Sequence, residues 1–179
     1  MAGSILGNRV LRKEDPKFLT TGGVYVDDLN SEPLLVGALH ATFVRSTVAH
    51  ANIASIDVSD ALASPGVVAI YTAADLDLQP VAATFNPMAK RTLLASNKVR
   101  YVGEPVAVVL TKLANQGEDA AEKVIVDYDT LEVLIDIEQA MTSTTLIYEE
   151  CGSNVVFDST AIGMPDNTGD AMFTDCEVV

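Results

Sequence analysis

Glu104 is the one acid inside an otherwise strand-like run, KVRYVGEPVAVVL, from Lys98 to Leu110. A carboxylate in such a setting needs a partner or a raised pKa, and Arg100 or Arg45 can supply the partner. Three roles are open to it: a structural salt bridge, a contact to a partner or ligand, or a general base. Arg45 and His50, in FVRSTVAHA, either belong with it or mark a solvated strand end. Gly103-Glu104-Pro105 is itself unusual, because glycine weakens a strand and proline cannot donate to a ladder.

Other candidate chemistry is sparse. GxSxG, HExxH and P-loop motifs are absent from the sequence. The glycine-rich pieces lack dinucleotide-fingerprint spacing. Asp166-Asn167-Thr168-Gly169-Asp170 is half of a calcium loop without its twelfth-position glutamate, so an ordinary turn is expected. His40 has no ligand partner at useful spacing and reads as half-buried. Cys151 and Cys176 form no CxxC and read as inert thiols.

These residues sit among short elements. The charge cluster Arg12 to Pro16 lies in an arm expected to be extended, and GVYVDDL (Gly23 to Leu29) reads as a strand. Leu34 to Ser46 is apolar at both parities, as in a strand buried on both faces. Asn52 to Asp57 is strand-like, Ser59 can cap a helix over Asp60 to Ser64, and Pro65-Gly66 stops it. Val67 to Tyr71 is a second apolar strand. Thr72 and Asp75 have capping-box spacing, so a short helix starts at Ala73. Residues 77–95 read as a loop.

After Thr111 a helix is expected, then a strand in which Val124, Val126 and Tyr128 alternate with Ile125, Asp127 and Asp129. That strand–helix–strand unit suits a right-handed crossover. The whole reads as an α+β domain over residues 20–140, after an arm over 1–19. Residues 141–179 read as an irregular segment with a strand-like patch at Asn154 to Phe157. A short helix is expected to open at Gly169 to Phe173. A strand starting at Cys176 stops at Val179, which points to one piece of something larger.

Of the 179 residues, 49% are hydrophobic and tryptophan is absent, so the core must be aliphatic. The net charge is −14, and no lysine or arginine follows Lys123. Such a surface repels phosphate backbones, which argues against nucleic acid. The acidic half serves solubility or docks a basic partner. No apolar run reaches the roughly 18–20 residues of a membrane span. No signal peptide is recognisable, and a cytoplasmic location is expected.

Four segments occur together and in order: RKEDPKFLTTGGVYVDDL, LHATFVRSTVAHANIASIDVSDALASPGVVAIYTAADL, KVRYVGEPVAVVL and EDAAEKVIVDYDTLEVLID. Over about residues 8–179 the chain resembles the N-terminal part of molybdenum hydroxylase large subunits. These are the xanthine dehydrogenase, aldehyde oxidase and aerobic carbon monoxide dehydrogenase family. The resemblance implies an a/b hammerhead domain with an extended N-terminal arm and an irregular C-terminal segment leading toward a molybdopterin-binding region.

It also implies an assembly that hydroxylates a carbon centre with water-derived oxygen, or oxidises carbon monoxide. Such a complex carries molybdopterin cytosine dinucleotide, two [2Fe–2S] clusters and FAD. The expected partners are the remainder of the large subunit, an iron–sulfur subunit and an FAD subunit. No residue here matches a family cofactor ligand. Two cysteines cannot supply the eight thiolates of two clusters. The chain alone is therefore expected to bind no cofactor and to be inactive. Arg45, His50, Arg100, Gly103, Glu104 and Pro105 are then docking or structural residues, with Gly103-Glu104-Pro105 bending or bulging a strand. A stand-alone binding or scaffold domain of the same fold is the alternative.

Overall fold

The computed structural model describes residues 12–158, except 21, 24 and 85. The expectations for residues 1–11, for the turn at Asp166 to Asp170, for the helix at Gly169 to Phe173 and for the strand from Cys176 lie outside the described residues. The chain divides into two compact units, one up to Ala38 and one from Leu39 onward.

In the first unit the charge cluster is not extended. Asp15–Thr20 forms helix α1, with Asp15 in its first turn, where a carboxylate complements the helix dipole. Val26–Ser31 and Pro33–Leu35 are 3-10 turns, so the strand expected at Gly23 to Leu29 does not form. Asp28 explains why. Its carboxylate accepts the Tyr25 N–H at 2.9 Å, a local bond that competes with any ladder.

The second unit contains two three-stranded antiparallel sheets. One has the order β1-β7-β3, from His40–Arg45, Pro105–Thr111 and Val67–Thr72. The other has the order β6-β2-β8, from Lys98–Val99, Ala51–Asp57 and Ile125–Thr130. A separate hairpin pairs β4 (Val81–Ala83) with β5 (Asn86–Arg91), where a loop was expected. β1 is shorter than the apolar text and is buried on one face only, since Phe43 is exposed.

Both strand–helix–strand passages change sheets. Helix α2 (Ser59–Leu62) links β2 to β3, and α3 (Asn115–Ala121) links β7 to β8. The expected crossover between parallel strands is therefore absent, because β7 and β8 pair with different neighbours and always antiparallel. Ser59 does not cap α2 but is its first residue; the N-cap is Val58, and the Asp57 carboxylate before it accepts the Ser59 N–H at 2.9 Å. The capping box is present: Asp75 accepts the Thr72 N–H at 2.8 Å, and the Thr72 hydroxyl accepts the Ala74 N–H. Only one 3-10 turn, Ala73–Asp75, follows it.

The core gathers on β7. Val106, Ala107, Val109 and Thr111 are fully buried, against Val44, Ile70, Val99, Ala120 and Val124. Strand side chains normally alternate between faces, yet Val106 and Ala107 are neighbours and both inside. The register explains this: Val44 faces Ala107 and Arg45 faces Pro105, leaving Val106 as an extra residue. A β-bulge of this kind re-aims side chains.

Candidate functional site

Gly103-Glu104-Pro105 does not interrupt one strand. It ends the turn that carries the chain from β6 in one sheet to β7 in the other. Opposite it lies the 46–50 turn between β1 and β2, and the two turns are laced together. Ser46 N–H donates to the Glu104 carbonyl at 2.8 Å, and Gly103 N–H donates to the Ser46 carbonyl at 2.8 Å. The Arg45 guanidinium donates to the Gly103 carbonyl at 2.9 Å and lies 5.7 Å from the Phe43 ring centroid. Pro105 carries on the pattern, its carbonyl accepting the Ala95 N–H at 2.8 Å. Gly103 has φ +91°, a region that L side chains enter only at a cost.

Glu104 is only 4% exposed. Its carboxylate accepts the backbone N–H of Arg100 at 2.5 Å, so no salt bridge to Arg45 or Arg100 forms. The expected pairing fails because both guanidinia are engaged elsewhere. Arg100 Nε donates to the Ile147 carbonyl at 3.1 Å, and its head lies 4.8 Å over the Tyr148 ring. Glu104 thus closes its own turn, a side-chain-to-backbone bond inside a tight loop.

His50 closes the first turn and is 3% exposed, not a solvated strand end. One ring nitrogen, Nδ1, stands 2.7 Å from the Glu132 carbonyl, which fixes it as the protonated one. The other, Nε2, is buried without a partner among the described residues. His40 is half-buried, as expected.

Sequence reasoning missed the groups that hold residues 131–158 to this site. Lys98 pairs with Glu149, and the hydrogen bond from Lys98 holds the Glu149 carboxyl below the ordinary glutamate range. Asn154 accepts the Ile147 N–H at 2.9 Å and donates to the carbonyls of Ala140 and Thr145. The Thr145 hydroxyl donates to Glu132, and Asn86 donates to the Val156 carbonyl at 2.9 Å. No strand forms at residues 154–157, because these contacts are made by side chains to isolated carbonyls. A lone asparagine or lysine carries no local mark of such a partner, so no sequence signal would have found them.

Among the described residues no three His, Cys, Asp or Glu side chains are grouped to hold a metal ion. Cys151 is a free, half-buried thiol. Around the two turns the Arg45 guanidinium, the Arg100 Nε and the Glu104 carboxylate are bonded to backbone atoms. Among the described residues, no helix is long and apolar enough to cross a membrane.

Residues 20–132 match the family described as aldehyde oxidase and xanthine dehydrogenase, a/b hammerhead domain. The chain is 38% identical over 159 residues to the nicotine 6-hydroxylase large subunit of Paenarthrobacter nicotinovorans, covering 85% of this chain and 19% of that protein. Among solved structures it resembles quinoline 2-oxidoreductase from Pseudomonas putida 86, with 37% identity and a TM-score of 0.71 over 84% of this chain and 20% of that one. It also resembles a Cu,Mo-CO dehydrogenase in its carbon monoxide reduced state, with 42% identity and a TM-score of 0.64, over 75% of this chain and 17% of that one. The chain thus spans about a fifth of the length of these relatives.

Proposed function

Because the chain belongs to the aldehyde oxidase and xanthine dehydrogenase family, as its a/b hammerhead domain, we propose that it is the N-terminal structural part of a molybdenum hydroxylase large subunit. Its role is assembly. It supplies a folded body against which the cofactor-binding remainder of that subunit is built, in the cytoplasm, together with an iron–sulfur subunit and an FAD subunit.

The observation that carries this reading is the hammerhead match over residues 20–132, in a chain covering about a fifth of the first relative's length, beside turns whose Arg45, Glu104 and Ser46 groups bond to the chain's own backbone. Catalysis needs groups aimed at a reacting atom. Here Arg45, Glu104 and Arg100 are aimed at the chain's own backbone. The six residues around the turns act as structural support for docking and not as reagents. Molybdopterin cytosine dinucleotide, two [2Fe–2S] clusters and FAD belong to the other parts. There a C–H bond and water yield C–OH, two protons and two electrons, or carbon monoxide is oxidised.

Native mass spectrometry with molybdenum and iron analysis, on the chain recovered from its source cells, tests the proposal. Co-migration with a larger polypeptide and both metals is expected. A lone 19.0 kDa species without metal would overturn it and favour a free-standing scaffold domain.

A further inference from the structure

Residues 133–157 carry apolar side chains that the fold leaves outside. Ile135 is 89% exposed and Ile137 81%, with Met141, Val155 and Phe157 also exposed. They do not scatter. Ile135, Ile137, Met141, Val155 and Phe157 line one groove between helix α4 (Ile137–Thr142) and the chain beyond Asn154. Contiguous exposed apolar surface marks an interaction site more often than chance. Its geometry is set and not loose. Asp136 caps α4 by accepting the Gln139 N–H at 2.7 Å, and the Asn154 amide ties the two walls together by donating to the Ala140 carbonyl at 3.0 Å.

Charge selects the occupant. Between residues 124 and 158 there are eight acids and no lysine or arginine. Asp136 lines the groove, and Glu138 is exposed one residue after Ile137. A second copy of this chain would bring another −14 and its own Asp136 to the same face, which opposes association. An anionic membrane surface is repelled in the same way. An apolar ridge flanked by lysine or arginine is attracted and steered.

The groove also lies at a junction. The hammerhead match stops at residue 132, the groove begins at Leu134, and about four-fifths of the nicotine 6-hydroxylase large subunit lies outside what this chain matches.

We propose that the groove of Ile135, Ile137, Met141, Val155 and Phe157 is the docking surface for the remainder of the large subunit, and that it takes an apolar ridge flanked by basic side chains. This rests on the assembly role argued above.

The test is hydrogen exchange on the complex recovered from source cells, with the released full chain as reference, beside the double variant Ile135→Ser/Ile137→Ser. Both positions are so exposed that the variant is expected to melt with the parent. The expected result has two parts. Amides of residues 133–157 gain protection in the complex, and the double variant loses at least tenfold of its recovery with the larger polypeptide. Raising the salt concentration should slow reassembly of the parent. A complex in which 133–157 stays unprotected and the double variant assembles normally would overturn this inference and leave the assembly role intact. A dimer of twice the chain mass would overturn it in favour of self-association. Recovery of the chain only as a lone species would overturn both.

Discussion

Strand β7 and the segment from residue 133 to 157 treat apolar side chains in opposite ways. On β7, Val106 and Val109 are fully buried and the backbone is paired on both sides, to β1 and to β3. In the later segment Ile135 and Ile137 face water, while side chains such as Asn154 and Glu149 tie the backbone down. Burial of valine stabilises a fold by roughly 1.5–3 kcal/mol per side chain. A half-buried polar tie contributes less, about 0.5–1.5 kcal/mol net. The first region is therefore built for stability. The second is held in shape with Ile135 and Ile137 still facing water.

This contrast can be broken most forcefully in β7. Val109→Asp places an unpaired charge at a fully buried position, and the expected loss is on the order of 4 kcal/mol. The urea midpoint would collapse or the chain would fail to fold. A midpoint within error of the parent would show that β7 is not the core.

Gly117 sharpens the same point at the α3–β1 contact. A Cβ there would stand 2.0 Å from the Thr42 hydroxyl, so Gly117→Ala is expected to cost about 1–3 kcal/mol by overpacking. Without that contact, alanine would favour the helix by about 1 kcal/mol. Adding Thr42→Ala removes the hydroxyl but leaves the Thr42 Cβ 3.0 Å away, so it should recover part of the loss, a coupling that a thermal double-mutant cycle reads directly.

At the laced turns, Glu104→Ala leaves the Arg100 N–H without its acceptor. The expected cost is about 1–3 kcal/mol, with Glu104→Gln retaining part of the bond. Equal melting of both variants and the parent would deny Glu104 a structural role.

The smallest effect belongs to the later segment. The Glu149 carboxyl is held below its ordinary value by Lys98. A depressed folded-state pKa contributes stability above the unfolded value, about pH 4.3, and loses it as pH falls through the folded value. Amide protection across residues 144–152 should therefore weaken below about pH 4.3, while β7 stays protected. Glu149→Gln should remove that pH dependence.

How far these features could be read in advance differs element by element. The Thr72–Asp75 capping box and the helix and strand after Thr111 were legible because each depends on neighbours a few residues apart. The hairpin of β4 and β5 was not. Its residues show no clear alternation, and strands are selected by pairing as much as by propensity. At the candidate site, the oddity of Gly103-Glu104-Pro105 was visible, and so was the need of Glu104 for a partner. Its actual partner is the Arg100 backbone N–H, four residues away. No composition rule separates that from a salt bridge to the same residue.

The sequence by itself determined the family, the aliphatic core and the acidic imbalance after Lys123, because these are properties of residue order and type. Only the tertiary structure decided that β6 and β7 lie in different sheets and that Val106 is a bulge residue. It also decided that Arg45 and Arg100 are spent on carbonyls and that Ile135 and Ile137 stay outside. The reason is range. Propensity and capping act over about four residues, whereas pairing and burial join groups as far apart as Arg45 and Gly103, and only the folded chain brings those together.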